Sequence, residues 1–105
     1  MRKSRLYVVS KSSGKRVFNL VPNMIIGRST RANIQCSDPK VSRVHATVKY
    51  IDGKATIEEL ASQNGVFVND KKVMKCVLLD GDEVMIGDTV FIYKKSGEKL
   101  GIKNV

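Results

Sequence analysis

Apolar and polar positions alternate in short runs along this chain, and no segment sustains a helical period. In residues 5–10, Leu6, Val8 and Ser10 fall on one face of an extended segment, and Tyr7 and Val9 fall on the other. Residues 11–15 have turn composition, so residues 16–21 are expected to pair back as a hairpin. Pro22 and Asn23 break the run. Residues 24–28, Met-Ile-Ile-Gly-Arg, read as a short apolar strand. A loop at 29–32 leads into a brief strand at 33–36, with Ile34 and Cys36 facing inward.

After a second loop at 37–40, residues 45–51 set Ala46, Val48 and Tyr50 against Thr47, Lys49 and Ile51. Asp52-Gly53 is the strongest hairpin signal in the chain, because both residue types accept the positive φ of a two-residue turn. Residues 54–60 return along it, and 61–65 form a third loop. Residues 66–69 read as a strand, 70–72 as a turn and 73–79 as an apolar run of less definite form. Turns at 80–82 and 87–88 separate strands at 83–86 and 89–94. About ten short strands with turn signals every six to twelve residues predict an all-β, two-sheet β-sandwich.

A chain of 105 residues fits one domain, 1–105, with its core at about 5–94 and a basic C-terminal tail, 95–105, expected to fray. That length buries enough surface to fold without a disulfide or a metal. No apolar run approaches the roughly 18 residues of a membrane span. The start, Met-Arg-Lys-Ser-Arg, lacks the apolar stretch of a signal peptide. An intracellular protein is therefore expected, with Cys36 and Cys76 as buried thiols rather than a disulfide. A metal site is not expected, because Cys36, His45 and Cys76 lack the paired spacing of zinc ligands.

The formal net charge of +9 is concentrated at the two ends. Residues 1–20 carry Arg2, Lys3, Arg5, Lys11, Lys15 and Arg16 with no acid. Residues 94–105 carry Lys94, Lys95, Lys99 and Lys103 against Glu98, and the segment between is neutral. Such ends serve solubility or a weak, non-specific nucleic-acid contact.

Three polar clusters sit at the ends of apolar runs, where the loops of a sandwich fall: Gly27-Arg28, Ser42-Arg43-Val44-His45-Ala46 and Asn64-Gly65-Val66-Phe67-Val68-Asn69. Together they can hold an anion. Arginine offers a planar fork that matches phosphate oxygens, from Arg28 and from Arg43. Ser42 adds a hydroxyl, and Asn64 offers both an amide N–H and an acceptor for a peptide main chain. Gly65 permits a positive φ or a close backbone approach. Taken singly, each residue has a plainer role: solvated arginines, a serine ending a turn, an ordinary Asn-Gly hairpin. Ser42 and His45 also have the spacing of a nucleophile and a base, but no orienting acid is marked beside them. No phosphate-binding glycine loop or dinucleotide fingerprint is present, so no cofactor and no enzyme activity are expected.

Gly-Arg, Ser-Arg-x-His-Ala and Asn-Gly-x-x-x-Asn, in this order, followed by Leu79-Asp80-Gly81-Asp82-Glu83-Val84-Met85-Ile86-Gly87, resemble the forkhead-associated (FHA) domain over about residues 5–94. The resemblance implies a sandwich of about eleven strands with its binding loops at one end. It implies a non-catalytic module for phosphothreonine-containing proteins, in kinase-dependent signalling or DNA-damage-type assembly, in the nucleus rather than the cytoplasm. By the same resemblance Arg28, Ser42 and Arg43 meet the phosphate, and Asn64, Gln63 and Lys40 meet the peptide. Gly27, His45, Gly65 and Asn69 support the site. Gln63 and Val66 depart from the family pattern, which often has Thr or Ser at the first position and Thr at the second.

Overall fold

The computed structural model describes residues 16–95 and the backbone of residues 4–8. These segments contain eleven strands and no helix. In order they are β1 (Ser4–Val8), β2 (Arg16–Asn19), β3 (Met24–Gly27), β4 (Ile34–Gln35), β5 (Ala46–Ile51) and β6 (Lys54–Glu59). Then come β7 (Val66–Val68), β8 (Lys71–Val73), β9 (Lys75–Val77), β10 (Glu83–Ile86) and β11 (Thr89–Lys95). A six-stranded sheet runs β2-β1-β11-β10-β7-β8, and a five-stranded sheet runs β4-β3-β5-β6-β9. Every pair is antiparallel except β3 with β4.

The alternation in the sequence becomes the core between the sheets. One sheet contributes Val66, Val68, Val84, Ile86, Phe91 and Tyr93, and the other Met24, Ile26, Ile34, Ala46, Val48 and Ile57. Ala46 and Val48 are fully buried as the pattern predicts, whereas Tyr50 is half-buried. Cys36 is buried just past β4 and Cys76 is half-buried in β9, at opposite edges of the five-stranded sheet, and both are free thiols. Burial pushes the Cys36 thiol up to about 11 and raises that of Cys76 as well, so both stay protonated near neutral pH.

Two hairpin turns show how local chemistry sets register. Asp52 and Gly53 both have positive φ and pair Ile51 with Lys54. The turn expected at 70–72 instead closes at Asn69 and Asp70, with φ of 50° and 70°, and β8 begins at Lys71. Asn and Asp tolerate the left-handed region, which a lysine pair does not favour. The uncertain run at 73–79 divides after Val73: β8 completes one sheet and β9 starts the edge of the other. The expected turn at 11–15 and the tail beyond Lys95 lie outside the described residues.

Candidate functional site

The loops β3–β4, β4–β5 and β6–β7 and the β10–β11 turn gather at one end of the sandwich, tied together by hydrogen bonds. Gly27 ends β3 against the β4–β5 loop. A Cβ built there would collide with the carbonyl oxygen of Arg43, so only glycine allows these two backbones to approach so closely. The Arg28 N–H then donates to the Ser42 carbonyl at 3.0 Å, and the Ser29 N–H to the Arg43 carbonyl at 3.1 Å. Arg28 is exposed, and its Nε donates to the Val41 carbonyl at 2.9 Å. That bond fixes the guanidinium through one nitrogen and leaves the Nη groups without a partner among the described residues.

Ser42 lies in the loop before β5, half-buried. Its Oγ accepts the backbone N–H of Gln63 at 3.0 Å, which leaves the hydroxyl proton to donate elsewhere. Its own N–H donates to Nδ1 of His45 at 3.0 Å. Nε2 of His45 lies 2.8 Å from the Gly65 carbonyl. The first bond requires Nδ1 to be an acceptor, so the ring is the neutral Nε2–H tautomer and donates to Gly65. His45 is completely buried and spends both ring nitrogens on backbone groups. It therefore takes no proton from the Ser42 hydroxyl, and the two are not a nucleophile and its base.

The β6–β7 loop is not the plain hairpin that Asn64-Gly65 could form, since β6 and β7 belong to different sheets. Gly65 alone of the two has positive φ, +82°. Its N–H donates to Ser62 Oγ at 2.9 Å, and Ser62 is held in turn by the Glu59 carboxylate. Asn64 Nδ2 donates to the Lys40 carbonyl at 2.7 Å, which leaves Oδ1 and one N–H without partners among the described residues. Gln63 and Arg43 are exposed beside it.

Asp38, which the sequence reading did not single out, is the brace of the β4–β5 loop. It accepts the Lys40 N–H at 2.9 Å, the Asp88 N–H at 2.6 Å and the Thr89 hydroxyl at 3.1 Å. Burial opposes its ionisation, but these three donors outweigh it and hold its carboxyl below the usual aspartate range. An Asp two residues before Lys40 in a turn is a signal of such self-bonding. Lys40 Nζ reaches Asp88 at 3.4 Å in an exposed pair, which contributes about 0–1 kcal/mol.

The structure thus brings Gly27, Arg28, Lys40, Ser42, Arg43, His45, Gln63, Asn64 and Gly65 to one end. Asn69 is elsewhere. It lies at the opposite end of β7, where its side chain bonds Asp82 and the Glu83 N–H. Val66 is fully buried in the core, so of the two departures from the family pattern only Gln63 reaches the surface. Of the basic ends, Lys95 pairs opposite Ser4, far from these loops, and Arg2, Lys3, Lys11, Lys15, Lys99 and Lys103 lie outside the described residues.

The FHA domain profile matches residues 24–87. The glycogen accumulation regulator GarA of Mycolicibacterium smegmatis is 36% identical over 86 residues, covering 80% of this chain and 54% of that protein. The chain thus spans about half the length of this curated relative. A solved structure described as a structural and functional analysis of phosphothreonine-dependent FHA domain interactions superposes with a TM-score of 0.81 at 30% identity, covering 88% of this chain and 95% of that one. Mycobacterium tuberculosis EmbR in complex with a low-affinity phosphopeptide gives 0.82 at 30% identity, over 90% of this chain and 24% of that one. The expected nuclear setting is overturned by the curated relatives, which come from bacteria, organisms without a nucleus. The order of the motifs, the two-sheet topology and the profile over most of the core agree: this chain belongs to the forkhead-associated (FHA) domain family.

Proposed function

We propose that this chain is a non-catalytic module that binds phosphothreonine-containing segments of a partner protein. The observation that carries the reading is the state of the Ser42 hydroxyl. The Gln63 N–H occupies it as an acceptor, so its proton is free to donate to an anion beside Arg28 and Arg43. Arg28 is held through Nε and keeps its Nη donors for phosphate oxygens. Asn64, steadied through Nδ2, keeps Oδ1 for a main-chain N–H of the bound peptide. Lys40 is held by Asp88 only in a weak exposed pair, so its ammonium can meet an acidic residue of that peptide.

Phosphothreonine is made by a kinase, so the module reads a kinase's output. The relatives support a regulatory role, since GarA is named as a regulator. They give no support to a DNA-damage assembly. No observation favours the alternative of a nucleic-acid contact, because most of the residues that would carry it lie outside the described region. Fluorescence anisotropy with matched phosphothreonine and unphosphorylated peptides tests the reading. Saturable binding of the phosphorylated form alone is expected, and equal binding of both forms would overturn it.

A further inference from the structure

The β6–β7 loop meets two other segments. Its Gln63 N–H and Asn64 amide meet the β4–β5 loop, which carries Ser42 and Arg43. Its Gly65 and its root meet the segment from β8 into β9. There the Lys72 side chain lies over Gly65: a Cβ built on Gly65 would come within 2.7 Å of Lys72 Cε and 3.6 Å of its Nζ. Two residues on, the Met74 carbonyl accepts the Glu59 N–H at 2.9 Å, which fixes this segment against the root of the same loop. Met74 is 72% exposed, more than any other large apolar side chain among the described residues. Lys72 has no acid within ion-pair distance among the described residues.

Resting on the phosphothreonine reading, we propose that Lys72 and Met74 form a second subsite that selects an acidic side chain of the bound phosphoprotein. Ser42 meets the loop at Gln63, whereas Lys72 meets it at Gly65, two residues further on. Lys72 therefore meets a neighbouring residue of the peptide and not the phosphothreonine itself. The stem of Lys72 runs over Gly65, a residue with no side chain, and leaves its exposed ammonium open to a partner. Met74, exposed two residues further on, supplies an adaptable apolar surface suited to the methylenes of a glutamate. Packing over Gly65 needs only the hydrocarbon stem, so the charge is separable from the cover.

The test uses phosphothreonine peptides that differ only in carrying glutamate or glutamine beside the phosphorylated residue, at positions scanned on either side. They are titrated by anisotropy onto wild type, Lys72→Met and Lys40→Ala. Lys72→Met keeps the apolar cover and removes the charge. Wild type is expected to prefer glutamate at the position facing Lys72 by about three- to fivefold at low salt, an exposed-pair effect that shrinks as salt screens it. Lys40→Ala is expected to keep that preference and to lose only one at any second position that Lys40 itself reads. Lys72→Met is expected to lose the preference that Lys40→Ala keeps, while still distinguishing phosphorylated from unphosphorylated peptide. Absence of any glutamate preference in wild type overturns the subsite. So does a pattern of preferences unchanged in Lys72→Met, or one lost entirely in Lys40→Ala instead. If wild type ignores the phosphate altogether, the phosphothreonine reading fails, and the subsite fails with it.

Discussion

The Nε2 nitrogen of His45 lies 2.8 Å from the carbonyl oxygen of Gly65, and this bond locks the β4–β5 loop to the β6–β7 loop in the dry interior. With Nδ1 accepting the Ser42 N–H, one imidazole sets the spacing between the serine and the asparagine loop. His45→Ala should leave two buried backbone groups unpaired, at about 1–3 kcal/mol in total stability. A thermal melt should fall by several degrees, with peptide affinity weakened through the loops. An unchanged melting temperature with binding lost would instead make His45 a direct ligand.

Arg28→Ala should weaken phosphothreonine peptide binding by about 2–3 kcal/mol, roughly 30- to 150-fold, because a charge-assisted contact is lost. Ser42→Ala should cost less, about 0.5–1.5 kcal/mol, as a neutral hydroxyl donor. Calorimetry beside melting curves checks both, and wild-type affinity in Arg28→Ala would place the site elsewhere.

Gly27→Ala drives a methyl into the Arg43 carbonyl, which is backbone and cannot swing aside. The β4–β5 loop must shift, taking Ser42 with it. Affinity should drop at least tenfold while the chain still folds, since the clash is confined to the loop. Near-normal affinity in a folded Gly27→Ala protein would show that the loop yields without moving the site.

From the family resemblance we expect selection of phosphothreonine over phosphoserine through a methyl pocket near Asn64, worth about 1 kcal/mol or fivefold for one methyl. Gln63 is exposed there, and Val66 points into the core. Gln63→Thr should change the ratio of the two affinities. Val66→Thr should lower the melting temperature through a buried hydroxyl and leave that ratio alone. The opposite pattern would place Val66 at the pocket.

Asp38 links loop order to pH. Its folded pKa is depressed, so its contribution is present above the ordinary aspartate value of about 3.9 and is lost as pH falls through the lower folded value. Wild type should therefore lose stability on acidification below about pH 4 more steeply than Asp38→Asn. Equal acid slopes for the two proteins would remove Asp38 from that role.

Strand identities and most turns were legible because they depend on neighbours in sequence. Asp52-Gly53 forms its hairpin as read, and Ala46 and Val48 face the core that their alternation implies. The turn at Asn69 and Asp70 was misplaced because the lysines after it outweighed the left-handed tolerance of the residues before it. Asp38 was missed for another reason. A lone aspartate in a turn gives no sign that a hairpin 50 residues later will offer it two donors.

The sequence by itself determined the sandwich, the three polar clusters and their order, since a period of two and a turn residue act within a few positions. Only the tertiary structure decided which cluster residues meet. It set Gln63 onto the Ser42 hydroxyl and laid Lys72 over Gly65, and it turned Val66 inward and carried Asn69 to the opposite end of β7. These placements depend on how two sheets stack and where each loop crosses between them. Pairing across that gap is fixed by packing and by hydrogen bonds among distant segments, which no local pattern encodes.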